Sequence, residues 1–159
     1  MARGDLVLFE EFANQIGGGL HNFESGGHTF KVAMITTPYA SVAVGATAVW
    51  ATFEANSVAQ VASGWSTANY VADGAALTSQ SYDEASGTAT FDASSVTWSQ
   101  DASLSSSINA YTAILFNTNT SSASTQYAIC KIDLGGPIHL KDGDITISWN
   151  ASGIFTVAV

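Results

Sequence analysis

The sequence predicts an all-β fold: an antiparallel β-sandwich or jelly-roll-like domain with a short N-terminal helix. Three observations point to it. The first is Asn109 to Asn117, a run that is apolar on both faces. Tyr111, Ala113 and Leu115 fall on one side of a strand; Ala110, Ile114 and Phe116 fall on the other, broken only by Thr112. Such a strand lies inside a sheet covered on both sides. A helix is the alternative for so short a run, but the flanking Asn, Ser and Thr favour a strand. The second observation is period-two alternation elsewhere, clearest in Ile145, Ile147 and Trp149. The third is the frequency of Gly and Asn turns, which divides the chain into about eight to ten short strands. Barrel closure stays open as an alternative.

Taken in order, Leu8 to Ile16 has Leu8/Phe9, Phe12 and Ile16 at helical spacing, with Glu10 and Glu11 in the expected first turn. Gly17-Gly18-Gly19 stops it. His28 to Thr36 reads as a strand with Phe30, Val32 and Met34 on one face. Tyr39 to Ala72 predicts loops, a short edge strand near Val49 to Phe53 and a helical turn near Asn56 to Ala62. Ala75 to Tyr82 and Thr88 to Trp98 follow as strands. Gln126 to Leu134 is the expected neighbour of the central run, ended by a turn at Gly135-Gly136-Pro137. The last expected unit is a hairpin, from Asp144 to Asn150 and back through Phe155, Val157 and Val159. Trp149 is placed in the core on this reading.

At 159 residues the chain suits one domain, 1–159, with residues 1–19 as an N-terminal arm. Charged residues are only 11%, so polarity comes from Ser, Thr, Asn and Gly. The net charge is −9, and Arg3, Lys31, Lys131 and Lys141 are the only strong bases. That argues against nucleic acid and against a polybasic membrane anchor. No apolar run reaches the roughly 20 residues of a membrane-spanning helix. The opening Met-Ala-Arg-Gly-Asp lacks a signal-peptide core, which predicts use in a cytoplasm or exit by a route other than secretion. Cys130 is the only cysteine and reads as a small core residue.

The motifs carry little chemistry. His21 and His28 share a turn-rich stretch, yet their spacing matches no zinc site, so loop histidines are expected. Asp142-Gly143-Asp144 lacks the further oxygen ligands of a calcium loop. There is no Gly-x-Ser-x-Gly elbow and no phosphate-cradling loop. Arg3-Gly4-Asp5 and two acceptor-like runs, Asn119 to Ser121 and Asn150 to Ser152, are short enough to recur by chance. The sequence therefore predicts no enzyme, no metal and no cofactor. Among the aromatics, Trp65 in Ser63-Gly-Trp-Ser-Thr67 is the one expected at an exposed contact.

Several patches together resemble small structural proteins of tailed bacteriophages. They are Leu8-Phe-Glu-Glu-Phe12, Gly19-Leu-His-Asn-Phe23 and Phe30-Lys-Val-Ala-Met34, then Gly74-Ala-Ala-Leu-Thr78 and Thr88-Ala-Thr-Phe-Asp92. Asn69-Tyr70, Val96-Thr-Trp98, Ala113-Ile-Leu-Phe-Asn117, Ile132-Asp-Leu-Gly135 and Asp144-Ile-Thr-Ile-Ser-Trp-Asn150 to Gly153-Ile154 complete them. The resemblance implies a virion component made in the host cytoplasm, and no catalytic residues. A capsid decoration (cement) protein on the major capsid protein is the favoured role. A tail or fibre-associated component is the second, and a carbohydrate-binding module for host recognition is the rival from another class. Self-association is expected, with Phe9 and Phe12 of the arm and Trp65 at or near the contacts. The symmetry of shells, rather than the sequence, suggests a trimer.

Overall fold

The computed structural model describes residues 4–45, 47–119 and 123–158. Strand β1 (Leu6–Leu8) leads into helix α1 (Phe12–Gly17) and strand β2 (Phe30–Ile35). A 3₁₀ turn at Tyr39–Ser41 and helix α2 (Trp50–Glu54) follow. Then come β3 (Ala75–Ala76), β4 (Ser81–Ala85), β5 (Thr88–Asp92), β6 (Val96–Trp98) and β7 (Ala110–Asn117). A second 3₁₀ turn, Ala123–Thr125, precedes β8 (Ala128–Ile138), β9 (Ile145–Ile147) and β10 (Phe155–Ala158). The fold is all-β and antiparallel, as the sequence predicts.

The main sheet has the order β1-β8-β7-β2-β3. The doubly apolar run is its middle strand, with Leu115 opposite Val32 on one side and Cys130 on the other. Residues 112–117 are all buried. On one face Phe30, Val32, Met34, Ala113, Leu115, Cys130 and Ile132 meet a second layer. That layer holds a three-stranded sheet, β10-β5-β4, and a two-stranded ribbon, β6-β9. Phe91, Val96, Trp98, Ile145, Ile147 and Phe155 point from it into the shared core.

The other face is not covered by a sheet. Ala33, Ile35, Ile114 and Phe116 are packed by Phe9, Val42, Ala48, Trp50 and Phe53, mostly from the connection after β2. Trp50 lies flat on Phe116, with ring centroids 4.4 Å apart and planes 5° apart. This cover explains why Trp50–Glu54 is helical rather than the expected edge strand. The Thr52 and Asn56 N–H groups are met within the turn, the Trp50 N–H reaches the Gln126 carbonyl at 2.8 Å, and Trp50 and Phe53 both turn down onto the sheet. Ala110 joins the first core rather than the second. It lies where the register with β8 shifts, between Ala110 and Thr112.

That same shift corrects the Gly135-Gly136-Pro137 turn. Ala110 pairs with Ile138 and Thr112 with Asp133, so the glycines form a bulge within one long strand. Gly135 and Gly136 take φ values of 78° and 116°, a region that glycine enters without strain. The C-terminal hairpin is also corrected. β9 pairs with β6 and β10 with β5, so the two segments lie in different sheets. The chain's tight hairpin is instead β4–β5, turned by Ser86-Gly87 with φ 54° and 79°. Ala75 to Tyr82 divides into β3 and β4, which belong to separate sheets.

The N-terminal segment differs most from its expected form. Leu8 is in strand β1, paired with Cys130, and the helix begins only at Phe12. Glu11 lies at the N-cap, and its carboxylate accepts the Ala48 N–H at 2.8 Å instead of serving the first turn. The glycines stop the helix as expected. The Leu20 N–H donates to Gln15 O and Gly19 N–H to Ile16 O, with Gly19 left-handed at φ 64°.

Two comparisons test this packing. Gly74 has φ +76°, and a Cβ there would collide with the Val32 carbonyl, whereas Gly136 has φ +116° and open space. Gly74→Ala should cost about 2–4 kcal/mol, from left-handed strain plus a backbone clash, and more than Gly136→Ala. Trp98 is buried and stacks on Tyr70, but Trp149 is only half-buried, so its expected core position is corrected. Trp98→Ala should cost about 3–5 kcal/mol. Trp149→Ala should cost about 1–2 kcal/mol, nearer the value for partial burial. Urea unfolding of the four variants reads both differences.

Candidate functional site

Several titratable groups are engaged in structural roles. Lys131 rises from β8 into the loop cover, where its Nζ donates to the Tyr39 and Val42 carbonyls at 3.0 and 2.6 Å. It also sits 4.2 Å from the Tyr39 ring centroid. Burial lowers its pKa, opposed by Asp133. Cys130 is buried, and desolvation pushes its thiol well above the ordinary range, leaving it inert. The Tyr70 hydroxyl is raised for the same reason and accepts the Met34 N–H at 2.8 Å. Asp101 joins two loops: it accepts from the Ser103 hydroxyl at 2.6 Å and from the Thr67 hydroxyl. Those bonds, Ser103 first, hold its carboxyl below the usual range.

The histidines are not simple loop residues. His21 and His28 converge on Asn117 at the end of β7: the amide nitrogen lies 3.1 Å from His21 Nδ1 and 2.8 Å from His28 Nδ1. The same nitrogen donates to the Leu20 carbonyl at 3.1 Å. Among the described residues, no three His, Cys, Asp or Glu side chains come together to hold a metal ion.

The surface offers concave ground at the open edge of the sandwich. A cavity of about 380 Å³ lies between α1, β1 and β10, lined by Leu8, Phe9, Phe12, Ala13, Ile16, Thr156 and Val157. Ile16, 36% exposed, also lines a second hollow of about 260 Å³ with His21, Asn22, Phe23, Glu24 and Tyr82. A third cavity, about 220 Å³, opens between β8 and β9. Its floor includes Ile132, Leu134, Ile145 and Ile147, and Ser148, Trp149 and Asn150 also line it.

Phe9 and Phe12 are buried, exposed by 2% and 4%, against the chain's own rings. Phe9 stacks on Phe53 at 5.3 Å and Phe12 meets Phe155 edge-on at 5.0 Å. The arm therefore packs on its own domain. Trp65 is corrected in the same way: it is 1% exposed, and its indole N–H donates to the Ile108 carbonyl at 2.7 Å. Its sequence context of Ser and Gly signals a turn, and nothing local reveals a ring folded inward. Ile16 and Val157, at the mouth of the edge cavity, read in the sequence as apolar-face positions of the arm helix and the last strand, not as contact residues. Their helical and strand periodicity places them beside core positions without showing that the layers stop there. Arg3-Gly4-Asp5 and Asn119 to Ser121 fall partly outside the described residues, as does Val159.

No described helix is long and apolar enough to cross a membrane. The chain matches no family model, no curated protein and no solved structure.

Lys131 provides the test of how the cover is held. Lys131→Met should cost about 1–3 kcal/mol, because two loop carbonyls lose a charged donor. Denaturant unfolding measures it, and a change within about 0.5 kcal/mol would mean that the ammonium is dispensable.

Proposed function

We propose that this chain is a structural protein of a tailed-phage virion, a capsid decoration protein seated on the major capsid protein. The virion half of this reading rests on the patches of resemblance that run in order through the chain. The docking half rests on one observation, the apolar cavity between α1, β1 and β10. There both layers of the sandwich end, and Leu8, Ile16 and Val157 border space that a partner's apolar side chains would fill. Burial at roughly 25 cal/mol per Å² supplies attraction, reduced by the entropy lost on association. Few charges surround the chain's polar surface, so shape and apolar contact, rather than ion pairs, would set the fit. The action is mechanical: many copies bridge neighbouring capsid subunits and resist the pressure of packaged DNA. Self-association through the same edge is part of the proposal, and the buried rings of Phe9 and Phe12 form its floor rather than its contact surface.

Density for this chain in an intact particle tests the placement. Many copies over the shell are expected; a few copies at the tail would move it to the tail or a fibre. Saturable binding to a glycan array, with no particle association, would favour the carbohydrate-binding reading. At the residue level, an Ile16→Ser, Val157→Ser variant should fold and lose at least tenfold in particle binding, measured by co-sedimentation. Undiminished decoration by that variant would remove the edge cavity from the interface.

A further inference from the structure

The geometry around Asn117 fixes the direction of every hydrogen bond in its network. The Asn119 N–H donates to Asn117 Oδ1 at 2.9 Å, so the amide nitrogen faces the two rings. His21 and His28 must then each present an unprotonated Nδ1 to it. With its proton on Nε2, His21 donates to Gln15 Oε1 at 2.9 Å. Gln15 is buried on α1, and its own nitrogen donates to the Ala48 carbonyl. Three acceptors, Leu20 O and the two ring nitrogens, share the two hydrogens of one amide. The arrangement has no place for another proton.

We infer that the His21–Asn117–His28 node is an acid-sensitive latch that ties α1 and residues 18–29 to the end of β7. A proton added to His21 Nδ1 converts an acceptor into a donor facing an amide NH₂, beside a second imidazole. His21 is the ring that joins Gln15 of α1 to Asn117 of β7, so its loss releases both attachments. It is also packed between aromatic rings, with Phe23 at 5.2 Å and Phe12 at 5.6 Å. Opening would uncover Phe12 and Phe23, which now lie against Phe155, Phe30 and Phe91.

The groups bonded to the His21 ring or stacked on it give the imidazolium no counter-charge. From α1 the facing group is the neutral amide of Gln15, and from β7 it is Asn117. From β2 it is Phe30, and just ahead of β8 it is Tyr127, edge-on at 6.2 Å. The connecting segment contributes His28 and Glu24, and β4 contributes Tyr82. Glu24 lines the same hollow as His21. Burial, then His28, lowers the His21 pKa from 6.5 to about 4. The sign follows: above pH 6.5 the latch has its full strength, and it weakens as pH falls from 6.5 towards 4. Between pH 7.5 and pH 4 the closed-to-open ratio falls by roughly 100-fold. The inference is independent of the virion reading, since it concerns only this chain.

Hydrogen exchange on the full chain between pH 7.5 and pH 4, corrected for intrinsic rates, tests it. Amides of residues 18–29 should lose protection by about 100-fold on acidification, while β2, β7 and β8 stay protected. The His21 ring resonance should titrate over the same range. His21→Phe should abolish the pH dependence. Should that variant fail to fold, Asn117→Asp decides: its carboxylate accepts from protonated rings and should keep residues 18–29 protected at low pH. Glu24→Gln should leave the transition in place. Equal protection of 18–29 at both pH values, or an unchanged transition in Asn117→Asp, would overturn the latch. Loss of the transition in Glu24→Gln would overturn it as well, by making the carboxylate the trigger.

Discussion

Burial of β7 on both faces is the constraint on which this structure depends. A strand with Ala113 and Leu115 on one side and Ile114 and Phe116 on the other needs two covers. One cover is built as expected for a sandwich, from strands that also bury their inward residues. The other is made from a loop, a short helix and the start of the chain. This asymmetry explains why Trp50 and Phe53 stand among the small residues after β2, while Trp65 and Tyr70 of the same long connection join the sandwich core. The segment gains its order from the large rings it buries, not from regular backbone pairing.

A loop that covers a sheet face brings buried peptide groups with it, and these must be satisfied. Side chains do much of this. Lys131 reaches from the sheet to two loop carbonyls, and Thr112 donates its hydroxyl to Thr37 O at 2.7 Å. Tyr70 accepts the Met34 N–H, and Glu11 and Gln15 hold the N–H and carbonyl of Ala48. Each contact joins residues far apart in sequence. The polar residues on buried strand faces are therefore fasteners for the cover. Their polar atoms are engaged by backbone groups.

The two ends of the β7 layer differ in consequence. Its carboxyl end carries Asn117 and the two imidazoles, a polar node within an aromatic cluster. The outer edge of the sheet, at β1, adjoins α1 and β10 around apolar space. One is a point where a proton has leverage, because desolvation leaves no means of carrying charge. The other is open apolar ground bordered by Leu8, Ile16 and Val157. A virion component docked by its edge would present both features on neighbouring parts of its surface, since Ile16 lines both hollows.

Local periodicity and composition were sufficient for the class of fold, the central strand, its β8 neighbour, the face of β2 and the buried Cys130. Period-two patterns record which side of a strand is apolar, and residues 109–117 leave little doubt about their environment. The same patterns do not record partners. Asp142-Gly143 and Asn150 to Gly153 are sound turns, yet β9 and β10 pair with β6 and β5, because pairing depends on contacts across dozens of residues. Bulge and turn look alike in Gly135-Gly136-Pro137, since both call for left-handed glycine. Trp65 is buried where the sequence predicts exposure and Trp149 is half-buried where it predicts the core, because a ring's burial is set by what lies over it. The histidine node was hidden for the same reason. His21, His28 and Asn117 become neighbours only when β2 and β7 pair, with Phe30 opposite Asn117.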